Sequence, residues 1–139
     1  MATRFVGRYE HSLDLKGRVI LPARFRASFD ALAVISKYNE RCLAIWTPEA
    51  FDKKADEMAL LLDGSPEERA RARAWSMGST EADLDRQGRV ALPQYLREFA
   101  EMPESSTVLV HGALTHIELW NPQLWEVHGA AGDASLIGG

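Results

Sequence analysis

Apolar positions alternate in twos over some stretches of this chain and recur every three or four residues over others. Leu43 and Ile45, and again Ile117 and Leu119, alternate with their neighbours as half-buried strands do. An apolar run precedes each, so the pattern predicts two strand pairs, 32–36 with 42–46 and 107–111 with 116–120. Between them Phe51, Ala55, Met58 and Leu62 fall at spacings of four and three, an apolar stripe along one helical face. Asp63-Gly64 ends that helix. Ser65-Pro66-Glu67-Glu68 opens another as a capping box, and it runs to about Gly78. Thr47-Pro48 and Asn121-Pro122 read as an N-cap followed by proline at the first helical position. The residues from Gly129 onward are too small to pack and read as a frayed tail.

The chain also repeats itself. Leu13-Asp14-Leu15-Lys16-Gly17-Arg18-Val19-Ile20-Leu21-Pro22-Ala23-Arg24-Phe25-Arg26 aligns without a gap on Leu84-Asp85-Arg86-Gln87-Gly88-Arg89-Val90-Ala91-Leu92-Pro93-Gln94-Tyr95-Leu96-Arg97, and eight of the fourteen pairs are identical. Behind each copy, Cys42 to Phe51 resembles His116 to Trp125, including the Trp46-Thr47-Pro48 and Trp120-Asn121-Pro122 steps. Two matches in the same order establish a duplicated unit. The organisation is a first repeat over 1–51, connecting helices over 52–79, a second repeat over 80–126 and a tail over 127–139. In each unit an Asp that bonds the following backbone and a Gly that supplies positive φ make a tight turn. The flanking stretches, 9–13 and 18–21 in the first copy, read as the arms of a hairpin. Pro22 and Pro93 then suit the first turn of a short helix carrying Phe25 and Phe29, or Leu96 and Phe99.

Composition narrows the function. With 139 residues, 46% hydrophobic and 26% charged, the chain is one ordinary globular unit and not a disordered or fibrous one. No apolar run approaches the length of a membrane helix, and the start lacks the apolar core of a secretory signal. Cys42 is the only cysteine, which excludes internal disulfides and multi-cysteine zinc sites and fits a cytosolic compartment. There is no Gly-rich phosphate loop, and Cys42 has no histidine beside it, so the chain does not read as an enzyme. His111, His116 and Glu118 fall near one another across a strand pair, but histidines on strands are more often surface or core groups than ligands; no metal and no cofactor is expected. Trp46, Trp75, Trp120 and Trp125 read as core and subunit-contact residues ahead of base-stacking platforms.

Net charge is −4, yet residues 1–29 carry +4 and the remainder −8. Local field acts at contact distance, so a basic segment can face a polyanion although the whole chain is acidic. Lys16, Arg18, Arg24 and Arg26 surround the first turn in sequence, with Arg8 on the strand before it. Around the second, Glu81, Asp83, Asp85, Glu98 and Glu101 outnumber Arg86, Arg89 and Arg97. The first copy therefore reads as the binder and the second as its structural mate. The bland reading of Asp14-x-x-Gly17-Arg18 and Asp85-x-x-Gly88-Arg89 is an Asp that caps the turn and an Arg that closes a salt bridge; it is preferred for the two aspartates. For Arg18 a binding role is preferred, because a guanidinium beside a tight turn offers paired donors to a phosphate or a guanine edge. On the second connecting helix Arg69 and Arg73 lie four apart, a like-charge pair that acidic residues of a neighbouring subunit would relieve.

The doubled D-x-x-G-R-V-x-L-P motif, with the W-x-P echo behind each copy, resembles the MraZ family of bacterial transcriptional regulators, over nearly the whole chain from Phe5 to about Trp125. The resemblance implies tandem SpoVT/AbrB-type units: a mainly β fold with peripheral helices (α+β) built as duplicated swapped-hairpin β-barrels. It also implies a ring-shaped homo-oligomer in the bacterial cytoplasm, associated with the nucleoid. That assembly would bind repeated double-stranded DNA sites in the promoter of the division and cell-wall gene cluster, most simply as a repressor, with no membrane and no small-molecule substrate. The family's Asp-x-x-x-Arg signature maps onto Asp14 with Arg18 and Asp85 with Arg89, and its DNA-contacting basic cluster onto Lys16, Arg18 and Arg24. Gln87 stands where the first copy has Lys16, a departure that weakens a DNA role for the second copy. The rival from another class is an AbrB-like antitoxin-type interaction module, against which the short tail counts.

Overall fold

The computed structural model describes residues 4–129 and 131–138. Its elements are β1 (Arg8–Ser12), β2 (Arg18–Ile20), α1 (Ala23–Arg26), β3 (Leu32–Lys37), β4 (Leu43–Trp46), α2 (Pro48–Leu60), α3 (Pro66–Gly78), β5 (Thr80–Asp83), β6 (Arg89–Ala91), α4 (Gln94–Phe99), β7 (Thr107–Gly112), β8 (Ile117–Trp120), α5 (Pro122–Leu124) and α6 (Gly132–Ile137). The fold is mainly β with helices, built from two like units. Among the described residues no helix is long and apolar enough to cross a membrane.

Six antiparallel strands form one sheet in the order β1-β7-β8-β4-β3-β5, and β2 and β6 form a separate ribbon. The order is symmetric about the β8–β4 pairing. The two predicted strand pairs, β3 with β4 and β7 with β8, form as local hairpins. The hairpin expected between 9–13 and 18–21 does not form. Instead β1 pairs with β7 of the second repeat, Arg8 opposite His111 and Ser12 opposite Thr107. In return β5 pairs with β3 of the first, and β2 pairs with β6 across the repeats, Val19 opposite Val90. Packing decides this. An isolated two-stranded hairpin is marginal in water, whereas the exchanged ribbon lays Val19 and Val90, both fully buried, on the inner face of the sheet.

Ribbon and sheet enclose one core. Val19, Leu21, Val90 and Leu92 meet Ile35, Leu43, Ile45, Val108, Val110, Ile117 and Leu119, and Phe5, Phe25 and Leu96 close it. The outer face of the sheet is covered too, by Phe51 of α2 against Val34, Ala44 and Trp46. That cover explains a departure from the sequence pattern: β4 is buried on both faces, not on alternate residues. Trp46 and Trp120 are core residues whose indole N–H groups donate to Ser36 Oγ and Glu118 Oε1, both at 2.9 Å.

The caps follow the sequence closely. Thr47 Oγ1 accepts from Ala50 N, Asn121 Oδ1 accepts from Gln123 N and Leu124 N, and Ser65 with Glu68 closes a full capping box. Four details differ. Pro22 and Pro93 are themselves the N-caps, with extended ψ of 144° and 149°, so each short helix begins one residue later than expected. The end of α2 tightens into a 3-10 turn over Leu61–Asp63, a tighter winding that moves Leu62 off the apolar stripe and leaves it 48% exposed. Arg69 has a partner within its own chain, its Nη1 donating to Gly64 O at 2.7 Å. The tail expected to fray forms the short, exposed α6 over its described part; Ala130 and Gly139 lie outside the described residues.

Because each repeat supplies strands to the other's half, neither half has a complete core. Residues 1–64 expressed alone should show no cooperative urea transition by far-UV circular dichroism. Addition of 65–139 should restore one. Cooperative unfolding of the isolated half would show that the exchange is dispensable.

Candidate nucleic-acid interface

Each turn is closed by its own aspartate. Asp14 Oδ1 accepts from the backbone N–H of Lys16 and of Arg18, both at 2.9 Å, and Oδ2 accepts from Arg18 Nε at 2.6 Å. Asp85 repeats the pattern with Gln87 N at 2.9 Å, Arg89 N at 2.8 Å and Arg89 Nε at 2.8 Å. The capping role expected of both aspartates and the salt bridge expected of both arginines are therefore present. The Arg18 N–H bond, offset in part by burial and assisted by its guanidinium, holds the Asp14 carboxyl below the usual carboxylate range; Arg89 does the same for Asp85.

Gly17 and Gly88 have φ of +73° and +80°, a region that favours glycine. A long side chain also lies over each glycine. A Cβ at Gly17 would meet the Arg97 guanidinium end and one at Gly88 that of Arg26, so the arginine would have to shift. These contacts cross between the repeats. Arg26, grouped with the first turn in sequence, packs on the second and donates from Nη1 to Gln87 O at 3.2 Å. Arg97 packs on the first turn and donates from Nε to Leu92 O. The backbone mirrors the exchange, with Leu21 N bonded to Gly88 O and Leu92 N to Gly17 O. The local sequence pattern does not predict this partner swap. Its trace was there: Arg26 and Arg97 are the last identical pair of the aligned repeat.

The ribbon register brings the signature arginines together. Arg18 lies opposite Ala91, and Ile20 opposite Arg89, so these four side chains share the outward face while Val19 and Val90 point inward. Arg18 and Arg89 are then diagonal neighbours, about 7–8 Å apart at the backbone. Each spends only Nε on its aspartate; their terminal nitrogens make no hydrogen bond among the described residues. The second copy is thus set beside the first on one surface. Lys16 stands exposed in the first turn.

The other basic candidates have different surroundings. Arg24 donates from Nη1 to Tyr9 Oη at 3.2 Å, and Tyr9 lies on the core side of β1 against Phe25. Arg8 alternates to the opposite face, across from His111, and at about 3.3 Å per residue it begins β1 about 20 Å from Asp14. Glu101, grouped with the second turn in sequence, pairs instead with Arg41 at 3.0 Å.

His111, His116 and Glu118 have partners of their own. His116 Nε2 meets Glu118 Oε2 and its Nδ1 meets Thr115 Oγ1, both at 2.9 Å, with the ring stacked on Trp46. Burial works to raise the Glu118 carboxyl, but hydrogen bonds from His116 and Trp120 hold it below its ordinary value. His111 packs against Trp125, and burial with the Arg8 charge lowers its pKa. Cys42 is buried, which pushes its thiol far above the ordinary value and leaves it no nucleophile.

A strand-exchanged, duplicated β fold that presents two Asp-x-x-Gly-Arg turns on one ribbon defines the class as a tandem AbrB-like protein. A family model described as "MraZ protein, putative antitoxin-like" matches twice, over residues 4–73 and 76–135. Similar proteins include the "Transcriptional regulator MraZ" of Roseiflexus castenholzii, 38% identical over 94% of this chain and 90% of the relative. Those of Moorella thermoacetica (38% identical, 88% and 84% covered) and Desulforamulus reducens (32% identical, 95% and 92% covered) carry the same name. The chain belongs to the MraZ family.

A carboxylate with a depressed folded pKa stabilises above its unfolded value, about 3.9, and that stability is lost as pH falls through the folded pKa. The protein should lose stability below about pH 4. A variant with Asp14→Asn and Asp85→Asn should be weaker at neutral pH and show a shallower acid limb in thermal melts. Acid limbs of equal steepness would remove the turns as the source.

Proposed function

We propose that this chain is a sequence-specific regulator of transcription that binds double-stranded DNA through the outward face of the β2–β6 ribbon. The observation that carries the reading is the convergence of Arg18 and Arg89 on that face, with Lys16 beside them and terminal guanidinium nitrogens unspent. A two-stranded ribbon fits the B-DNA major groove, about 12 Å wide, and a guanidinium there can bond guanine O6 and N7 together. The relatives' name, transcriptional regulator, supports the same reading, and a regulator of this kind works in the bacterial cytoplasm on the nucleoid. Its action needs no catalysis and no cofactor.

One ribbon touches few base pairs, too few to select a promoter. The regulator therefore acts as a closed homo-oligomer, a ring whose ribbons face one way and engage direct repeats together, and avidity raises binding by about 10² to 10⁴ over one site. The sites are assigned to the promoter of the division and cell-wall gene cluster that includes its own gene, and occupancy there represses.

Lys16→Ala should weaken a promoter gel shift and flatten its salt dependence by a slope of about 0.9 per lost phosphate contact. Arg18→Ala should nearly abolish binding. Arg89→Ala should leave most of it, since Gln87 replaces lysine in that turn. Equal losses from Arg18→Ala and Arg89→Ala would replace the one-sided reader with a symmetric ribbon.

Light scattering should return a mass several times 15.5 kDa. Moving one DNA repeat by half a helical turn should cost most of the affinity. A monomer that binds single and tandem sites equally, or a single non-self protein retained stoichiometrically in a pull-down, would overturn the reading.

A further inference from the structure

A cleft of about 550 Å³ opens at the end of β3, where α2 and α3 meet α4, and it shares no residue with either turn. Its walls are of two kinds. Tyr38, Trp75 and Phe99 supply aromatic surface; Lys37, Arg41, Lys54 and Arg71 supply cations, against Glu40. Four cations gather around one cleft of a chain whose net charge is −4.

The cations differ in how they are held. Arg41 and Lys54 are balanced by Glu101 and Glu57, at 3.0 and 3.3 Å. Lys37 and Arg71 form no ion pair among the described residues: Lys37 Nζ rests over the Phe99 ring at 5.3 Å, and Arg71 donates to Asn39 Oδ1. Packing has therefore placed two uncompensated charges beside aromatic surface. The wall between them is strained. Glu40 and Arg41, consecutive and neither a glycine, have φ of +61° and +71°. Such backbone is costly and concentrates at binding sites.

Cations alone would suit any anion, and aromatics alone any apolar group. Their combination at this volume, within the usual range for small-molecule pockets, selects a ligand with a flat ring and a negative charge. We propose that this cleft is a binding site for a small aromatic anion of the mononucleotide type, with phosphate on Lys37 and Arg71 and the base against Trp75 and Phe99. The site is separate from the ribbon and makes the protein responsive to a soluble nucleotide.

The test uses the full chain with AMP and GMP as probes and inorganic phosphate as the control. Calorimetry should show saturable binding of one nucleotide per chain at micromolar to millimolar concentration. ¹⁵N-labelled protein should show shifts at the Trp75 indole N–H and the Lys37 amide, and phosphate should bind at least about tenfold more weakly. Arg71→Ala, at an exposed position, and Lys37→Ala should each lower nucleotide affinity about tenfold, the size of one lost charge-assisted contact. Lys16→Ala on the ribbon should leave it unchanged. Three results would overturn the assignment: no saturable shift at millimolar nucleotide, loss of binding in Lys16→Ala, or an Arg71→Ala variant whose mass falls in light scattering while nucleotide binding is unaltered. The second would place the nucleotide on the ribbon, and the third would make the cleft a contact between subunits.

Discussion

The β2–β6 pairing is the constraint on which the rest of the molecule depends. Three residues from each repeat make it, and its inward pair, Val19 and Val90, is completely buried. Once β2 is committed to β6, β1 cannot return beside it and must find an edge elsewhere. The edge available is β7, and by the same logic β5 takes the edge of β3. A six-stranded sheet with β4 and β8 at its centre follows. One ribbon of three residue pairs thus converts two sequence repeats into a single core.

The same exchange explains why the turns are built as they are. A turn whose arms go on to different partners keeps only a short ladder at its base: Asp14 N donates to Arg18 O, Asp85 N donates to Arg89 O, and Leu84 bridges Val90. Asp14 and Asp85 add three side-chain hydrogen bonds each, and a long side chain from the other repeat, Arg97 or Arg26, is laid across each glycine. Side-chain chemistry reinforces locally what the short pairing begins. The signature arginine is part of the turn's closure and also the group that faces outward. Its Nε is structural and its terminal nitrogens are available.

Much of this was legible in the sequence, and the boundary of legibility has a physical cause. The repeat, the tight turns, the hairpins β3–β4 and β7–β8, the Thr47 and Asn121 caps and the Ser65–Glu68 box all rest on residues within a few positions of one another. Local chemistry writes them directly into the chain. Partner choice is different. Alternation in 18–20 says which face of a strand is buried and nothing about which strand lies beside it. The same limit hid the second burial face of β4, which depends on where Phe51 of α2 lands, and the swap of Arg26 and Arg97. The aligned motif marked both arginines as special while leaving their target unstated. Of the candidate interface, the pairing of Asp14 with Arg18 and Asp85 with Arg89 was readable. The convergence of the two arginines on one face was not, and neither were the place of Arg8 at the far end of β1 and the bond of Arg24 to Tyr9.

The paired turns also set the character of the interface. An aspartate 2.6 to 2.8 Å from each signature arginine cancels its charge beyond roughly a Debye length, about 8 Å at physiological salt. From a distance the ribbon is only weakly basic, with Lys16 and Arg86 exposed in its two turns without an ion pair among the described residues, and an acidic body behind it. At contact the cancellation counts for less, because the aspartate occupies Nε and leaves the terminal nitrogens free to bond. As the proposed DNA interface, such a surface would gain little from long-range steering and most from fit at the base edges. On the proposed DNA-binding reading, a face with so little net charge has no strong non-specific hold on DNA, and residence at a site would come from several ribbons engaged at once. The weak basicity of the single chain, and with it the proposed assembly, traces to the same Asp–Arg pair.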